Sequence, residues 1–129
     1  MGELDGRMWY ARSIKEGKFI QAYVRGKPYI KMGTADDFHG ILLIELLDEQ
    51  RVHFKLVNDD DGGIAPAIKG DEYELVGAGQ VDGGFAIREG EFVLYGESIS
   101  YSTLKPNQKH LDDLAQHIPP GIKFTIRAD

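Results

Sequence analysis

The residue best placed to do chemistry is His39. It follows Asp36, Asp37 and Phe38, precedes Gly40, and stands near the start of an apolar run with helical spacing. A neutral imidazole at pH 7 can act as general base or nucleophile, and a helix N-terminus favours that neutral form. Gly40 weakens a helix by about 1 kcal/mol relative to alanine. Its presence implies either a ring left open to a cleft or some other local demand. The plain alternative is that His39 is a surface or capping residue. A second concentration of interest is 77–102, GAGQVDGGFAIREGEFVLYGESISYS. Gly77, Gly79, Gly83 and Gly84 crowd its entry, and Gly96, Glu97, Ser98, Ile99 and Ser100 its exit. Glycines allow positive φ and close backbone approach, and successive N–H groups in such loops can form an anion-binding concavity. The same residues also suit ordinary hairpin turns, and spacing alone leaves both readings open.

Other chemistries fare worse. His53 alternates with apolar neighbours on a strand pattern, and His110 and His117 are expected on the surface of a second helix. These positions give no metal-ligand spacing, so no metal is expected. Asp59, Asp60, Asp61 and Gly62 suggest a Ca²⁺ loop, but the first and twelfth ligand positions would be Val57 and Ile68, which offer no side-chain oxygen. A hairpin loop is the better reading. Gly77-Ala78-Gly79 lacks the following helix that a dinucleotide fingerprint requires. Ser98, Ser100 and Ser102 have no preassigned base, and no nucleophile elbow is present.

Several elements must position these residues. Strand patterns cover 8–11, 18–24 and 72–76, and a short extended piece covers 29–32. Within 18–24, Lys18, Ile20, Ala22 and Val24 share one face and Phe19, Gln21 and Tyr23 the other. A helix is expected over 35–48, with Thr34 as N-cap and Asp36 and Asp37 in its first turn, while the apolar run Ile41–Leu47 also admits a strand. Alternation predicts a strand over 51–57, and 58–63 is a turn. Phe85-Ala86-Ile87 and Phe92 to Tyr95 read as a hairpin turning at Glu89-Gly90. Asn107 is the expected N-cap of a second helix, whose apolar face is Leu111, Leu114, Ala115 and Ile118. Pro119-Pro120-Gly121 stops it, and 122–126 alternates as a last strand. This order predicts an α+β single domain, a mixed β-sheet of about six strands packed by two helices.

At 129 residues the chain can bury a core without staples, and 42% hydrophobic with 28% charged residues is ordinary for a globular protein. A net charge of −6 argues against generic binding to nucleic acid or an anionic membrane. No cysteine is present, which removes disulfide and thiolate chemistry and suits a reducing compartment. The N-terminal segment has no apolar signal region. A cytoplasmic monomer without cofactor is expected.

The segments EGKFIQAYVRG, YIKMGTADDFHG, LVGAGQV and LYGESISYS occur in that order, ahead of a helix containing His110. In this they resemble the protein phosphohistidine phosphatase family, also called Janus/Ocnus, with gaps from about Glu16 to Ile126. The most specific part is Tyr95-Gly96-x-Ser98-x-x-Tyr101. The second is Phe38-His39, eight residues beyond Lys31. The resemblance implies that His39 is the catalytic histidine, a general base on water or a transient phosphoryl acceptor, in a metal-free site. It also implies that the loop at Ser98, Ile99 and Ser100 holds phosphoryl oxygens. Lys31 and Gln80 stand where the family has arginines, so charge geometry is lost at one and charge at the other. The family's strand lysine aligns with Ile20, and Lys18, on the same face, is a substitute. A segment of roughly 51–69 is inserted. The expected ligand is a phosphorylated protein substrate or a small phosphorylated ligand. The reading beside it is a non-enzymatic binding module for a phosphorylated or other anionic ligand, and a third is a structural protein with His39 packed away.

Overall fold

A computed structural model describes residues 14–34, 36–58, 62–83, 90–98, 101, 104–118 and 122–127. The expected strands over 8–11 and 85–87 lie outside these residues. Alternating apolar side chains build β1 (Ile14–Val24), which returns as β2 (Lys27–Thr34) through a two-residue turn. Arg25 and Gly26 both adopt positive φ there, 51° and 81°, the backbone a tight right-twisted hairpin requires. Arg25 is held in that conformation by Nε donating to Glu72 Oε1 at 2.7 Å and Nη1 to the Gln50 carbonyl at 3.2 Å. The region 29–32 is thus the middle of a full eight-residue strand rather than a short extended piece.

The first helix, α1, spans His39–Glu49 and begins four residues later than expected. Thr34 and its acids close a turn of their own instead. The Thr34 N–H donates to Asp37 Oδ2 at 2.9 Å, and the Asp36 N–H to Thr34 Oγ1 at 3.3 Å. The N-cap is Phe38, in extended conformation and with no side-chain cap, so His39 becomes the first helical residue. At the other end, Arg51 takes φ 57° while the Val52 N–H reaches the Leu47 carbonyl and the Arg51 N–H the Asp48 carbonyl. This is a Schellman ending with arginine where glycine is usual.

The expected strand over 51–57 shrinks to β3 (Leu56–Asn58), which pairs antiparallel with β4 (Ile64–Pro66) as a separate two-stranded ribbon. Next comes β5 (Tyr73–Gly83), which runs straight through Gly77 and Gly79. Those glycines are strand interior, not a turn. A Cβ on Gly77 would strike the Gln21 side chain, and one on Gly79 the Tyr95 backbone, so close packing across the sheet centre demands them. The chain continues through β6 (Gly90–Tyr95), α2 (Gln108–Leu114) with a 3₁₀ turn at Ala115–His117, and β7 (Ile122–Ile126). The main sheet is five-stranded in the order β2-β1-β5-β6-β7, antiparallel except for the β6–β7 pair. The fold is α+β, as expected: among the described residues a mixed five-stranded sheet and a separate two-stranded ribbon pack with two helices.

Two apolar clusters lie against opposite faces of this sheet. Ile20, Ala22, Val24, Ala78 and Leu75 pack under Leu42, Leu43, Leu46 and Leu47 of α1. Phe19, Ile30, Val81, Phe92 and Leu94 pack under Leu111 and Leu114 of α2. The alternation on β1 therefore sorts its side chains between the two helices. Along the upper half of β5, where β6 does not pair, the segment entering α2 takes its place. The Ala78 N–H reaches the Lys105 carbonyl and Asn107 Nδ2 the Val76 carbonyl.

α2 is seated by a polar network. Asn107 caps it, its Oδ1 accepting from the His110 N–H at 2.9 Å, as expected. The helical spacing places His110 on the surface, but in the structure it is fully buried. Its Nε2 lies 3.0 Å from the Ala22 carbonyl and its Nδ1 3.0 Å from Gln21 Nε2. A carbonyl can only accept, so Nε2 carries the proton and Nδ1 accepts from the amide. The Gln21 side chain also receives the Asn107 N–H and donates to the Asn107 carbonyl. Every polar atom of the ring is satisfied, which makes a buried histidine tolerable where its charge is not.

Candidate functional site

His39 opens α1 above the point where β1 and β5 cross the sheet centre. It is only 3% exposed, and its Nε2 lies 2.8 Å from the Gly79 carbonyl. The same donor logic puts the proton on Nε2. Nδ1, the other ring nitrogen, has no hydrogen-bond partner among the described residues. Burial lowers the His39 pKa below the ordinary histidine value, the Gly79 carbonyl opposes that, and the Lys18 charge adds to the lowering. At neutral pH the ring is therefore uncharged, with one nitrogen fixed as donor and the other a bare lone pair.

Lys18 is the cation of this corner. It lies in register with Gln80 across β1 and β5, on the face that α1 covers. Its Nζ sits 5.6 Å from the centroid of the Phe38 ring, within cation–π range. It makes no ion pair with any described residue. Phe38, the N-cap of α1, is 59% exposed, unusual for a large aromatic. In the sequence, Lys18 reads as a charge on an otherwise apolar face and, through the resemblance, as a substitute for a strand lysine, and Phe38 as the aromatic before a histidine.

Gln80 is drawn toward the loop that follows β6. Its Nε2 donates to the Glu97 carbonyl at 3.1 Å, and its Oε1 crowds Gly96, whose φ of 77° already excludes most side chains. Ser98 is 2% exposed, and its Oγ accepts the Tyr101 N–H at 2.9 Å. The Ser98 hydroxyl thus shapes its own loop. Ile99 and Ser100 lie outside the described residues.

Lys31 is placed elsewhere. Its Nζ is 2.6 Å from Glu49 Oε2 and 3.8 Å from Glu45 Oε1. Glu49 closes α1, ten residues beyond His39, or about 15 Å along the axis at the usual rise. The structure brings His39, Lys18 and Gln80 together beside the Ser98 loop and leaves Lys31 at the far end of the helix.

The demand on Gly40 is also visible. A Cβ there would lie 2.8 Å from the Ala65 Cβ and 3.8 Å from the Tyr101 hydroxyl. The glycine admits β4 against the start of α1; it does not open a cleft over His39. Tyr101 donates its hydroxyl to the Pro66 carbonyl at 2.8 Å. The β3–β4 ribbon therefore buttresses both the histidine helix and the Ser98 loop.

Among the described residues, no group of three or more His, Asp or Glu side chains is placed to hold a metal ion. None of the described helices is long and apolar enough to cross a membrane. No protein-family model and no curated protein matches the chain.

Proposed function

We propose that the protein is a metal-independent phosphatase acting on phosphohistidine or a related phosphoramidate in proteins, with His39 as the reacting residue. The observation that carries this reading is Nδ1 of a buried, neutral imidazole, which meets no partner among the described residues while the other nitrogen is fixed by a backbone carbonyl. A buried acceptor left without a partner costs about 1–3 kcal/mol. Its retention beside an unpaired ammonium suits a group that receives something.

Two steps are open to that atom. As nucleophile, Nδ1 bonds to phosphorus as the substrate's P–N bond breaks, the departing nitrogen takes up a proton, and water then cleaves the new P–N bond. As general base, Nδ1 takes a proton from water while the water oxygen bonds to phosphorus and the same P–N bond breaks. In both, Lys18 offsets charge on the phosphoryl oxygens, and backbone N–H groups of the loop around Ser98 complete the cradle.

A second reading, a binding module for a phosphorylated or other anionic ligand, draws on the diversion of Lys31 to Glu49 and of Gln80 to the Glu97 carbonyl. Among the described residues, Lys18 is the cation whose charge acts on His39. Phosphate release from a phosphohistidine peptide and from phospholysine, with EDTA present, separates the two. Release supports the phosphatase. Saturable phosphate binding that Lys18→Ala weakens, without release, supports the binding module.

A further inference from the structure

The inserted segment builds a cleft of its own. Between the irregular stretch 52–55 and the turn at 67–73 lies a cavity of about 340 Å³. His53, Lys55 and Lys69 project around it, with Phe54, Val57 and Tyr73 supplying apolar walls. All three basic side chains are on exposed residues, and neither lysine makes an ion pair with a described residue. Among the described residues of the lining, Asp71 is the one acid. On the far side of the 69–73 wall, Glu72 is engaged by Arg25. In a chain of net charge −6, a pocket with two unpaired ammonium groups and an imidazole is a local reversal of sign.

The walls are anchored. The Ala67 N–H donates to the Lys55 carbonyl at 3.1 Å, the Gly70 N–H to the Tyr73 carbonyl at 2.9 Å, and the Tyr73 hydroxyl to the Ala67 carbonyl at 2.6 Å. Gly70 lies so close on the Tyr73 ring that no side chain fits between them. Phe54 packs onto the α1 core cluster. The basic groups therefore extend from a backbone whose shape is set by hydrogen bonds and packing.

We propose that this cleft is a second anion site, separate from His39, which takes a small organic phosphate. A phosphate monoester carries nearly two negative charges and three acceptor oxygens, matching two ammonium groups and an imidazole better than a single carboxylate does. The apolar walls accommodate the organic part, and the volume falls in the range of small-molecule sites. Asp71 disfavours a second phosphate, which selects a monophosphate over a more highly charged ligand.

The test is an amide-resolved NMR titration of the full chain with phenyl phosphate, with benzoate as the carboxylate comparison. Saturable shifts are expected at Lys55, Ala67 and Gly70, unchanged in His39→Ala. Affinity there is expected to fall about tenfold or more in the Lys55→Ala, Lys69→Ala double variant. Shifts confined to Gly79, Gln80 and Ser98, or unsaturated shifts at the cleft, would overturn the site. So would equal affinity in the double variant. Benzoate binding as tightly as phenyl phosphate would overturn the assignment to phosphates. The wild-type titration stands even if the double variant is unstable, and loss of the His39 reading leaves it untouched.

Discussion

The His39 imidazole and the Gly79 carbonyl are joined by a 2.8 Å hydrogen bond between the start of α1 and the middle of β5. The contact fixes which ring nitrogen holds the proton, and the same glycine lies where a Cβ would strike the Tyr95 backbone on β6. Substituting Gly79 by alanine is therefore expected to disturb both the sheet and the ring. A loss of about 1–3 kcal/mol, the usual overpacking cost, would be read in urea unfolding. A displaced His39 side-chain resonance is expected alongside it.

Gly40 and Ala65 define a second close approach. Gly40→Ala gains about 1 kcal/mol of helix propensity yet brings its Cβ within 2.8 Å of the Ala65 Cβ. Net destabilisation is expected, with recovery in the Gly40→Ala, Ala65→Gly pair. Additive effects in that cycle would show that the two residues are not in contact.

The two lysines should separate cleanly. Lys31→Ala removes the contact with Glu49 and is expected to cost about 1 kcal/mol of stability or less, with phosphate release unchanged. Lys18→Ala leaves stability almost unaltered and lowers kcat/KM about ten- to a hundredfold, as for loss of a charge-stabilising donor. The reverse pattern would return the phosphate-binding role to Lys31.

Much of this site could be read from the chain because its logic is local. His39 before a glycine at a helix start, the Lys18 face of β1 and the Asn107 cap all follow from neighbours in sequence. The rest depended on contacts between distant segments. Gly77 and Gly79 look like a turn until Gln21 and Tyr95 are seen pressing on them. His110 looks exposed until Gln21 and Ala22, nearly ninety residues away, satisfy both its nitrogens. Lys31 matched a phosphate-binding position in the resemblance, but α1 presents Glu45 and Glu49 to it first. The delayed start of α1 is a local effect instead: Asp37 bonds back to the Thr34 N–H in a turn of its own rather than standing in the first turn of a helix capped by Thr34.

Buried histidines also set the response to acid. Burial pushes His110 down from 6.5 to about 4, while its Ala22 carbonyl contact and Asp113 oppose the shift. The unfolded chain takes up that proton first, so stability is fully present above pH 6.5 and is lost as pH falls toward 4. The loss from this residue is roughly 3 kcal/mol, and His39, lowered in the same direction, adds to it. His110→Gln should be less stable at neutral pH but show a flatter decline on acidification. An unchanged acid limb in urea-denaturation curves would remove His110 from this role.

The most direct measurement is steady-state phosphate release from a phosphohistidine peptide, in EDTA, by wild type and by His39→Ala, with folding checked by circular dichroism. Wild-type turnover is expected to be metal-independent and to hold its rate below pH 6.5, because the lowered pKa keeps Nδ1 unprotonated there. The variant should lose about a hundredfold or more. Equal rates in two folded proteins would contradict the assignment of the reacting atom to His39.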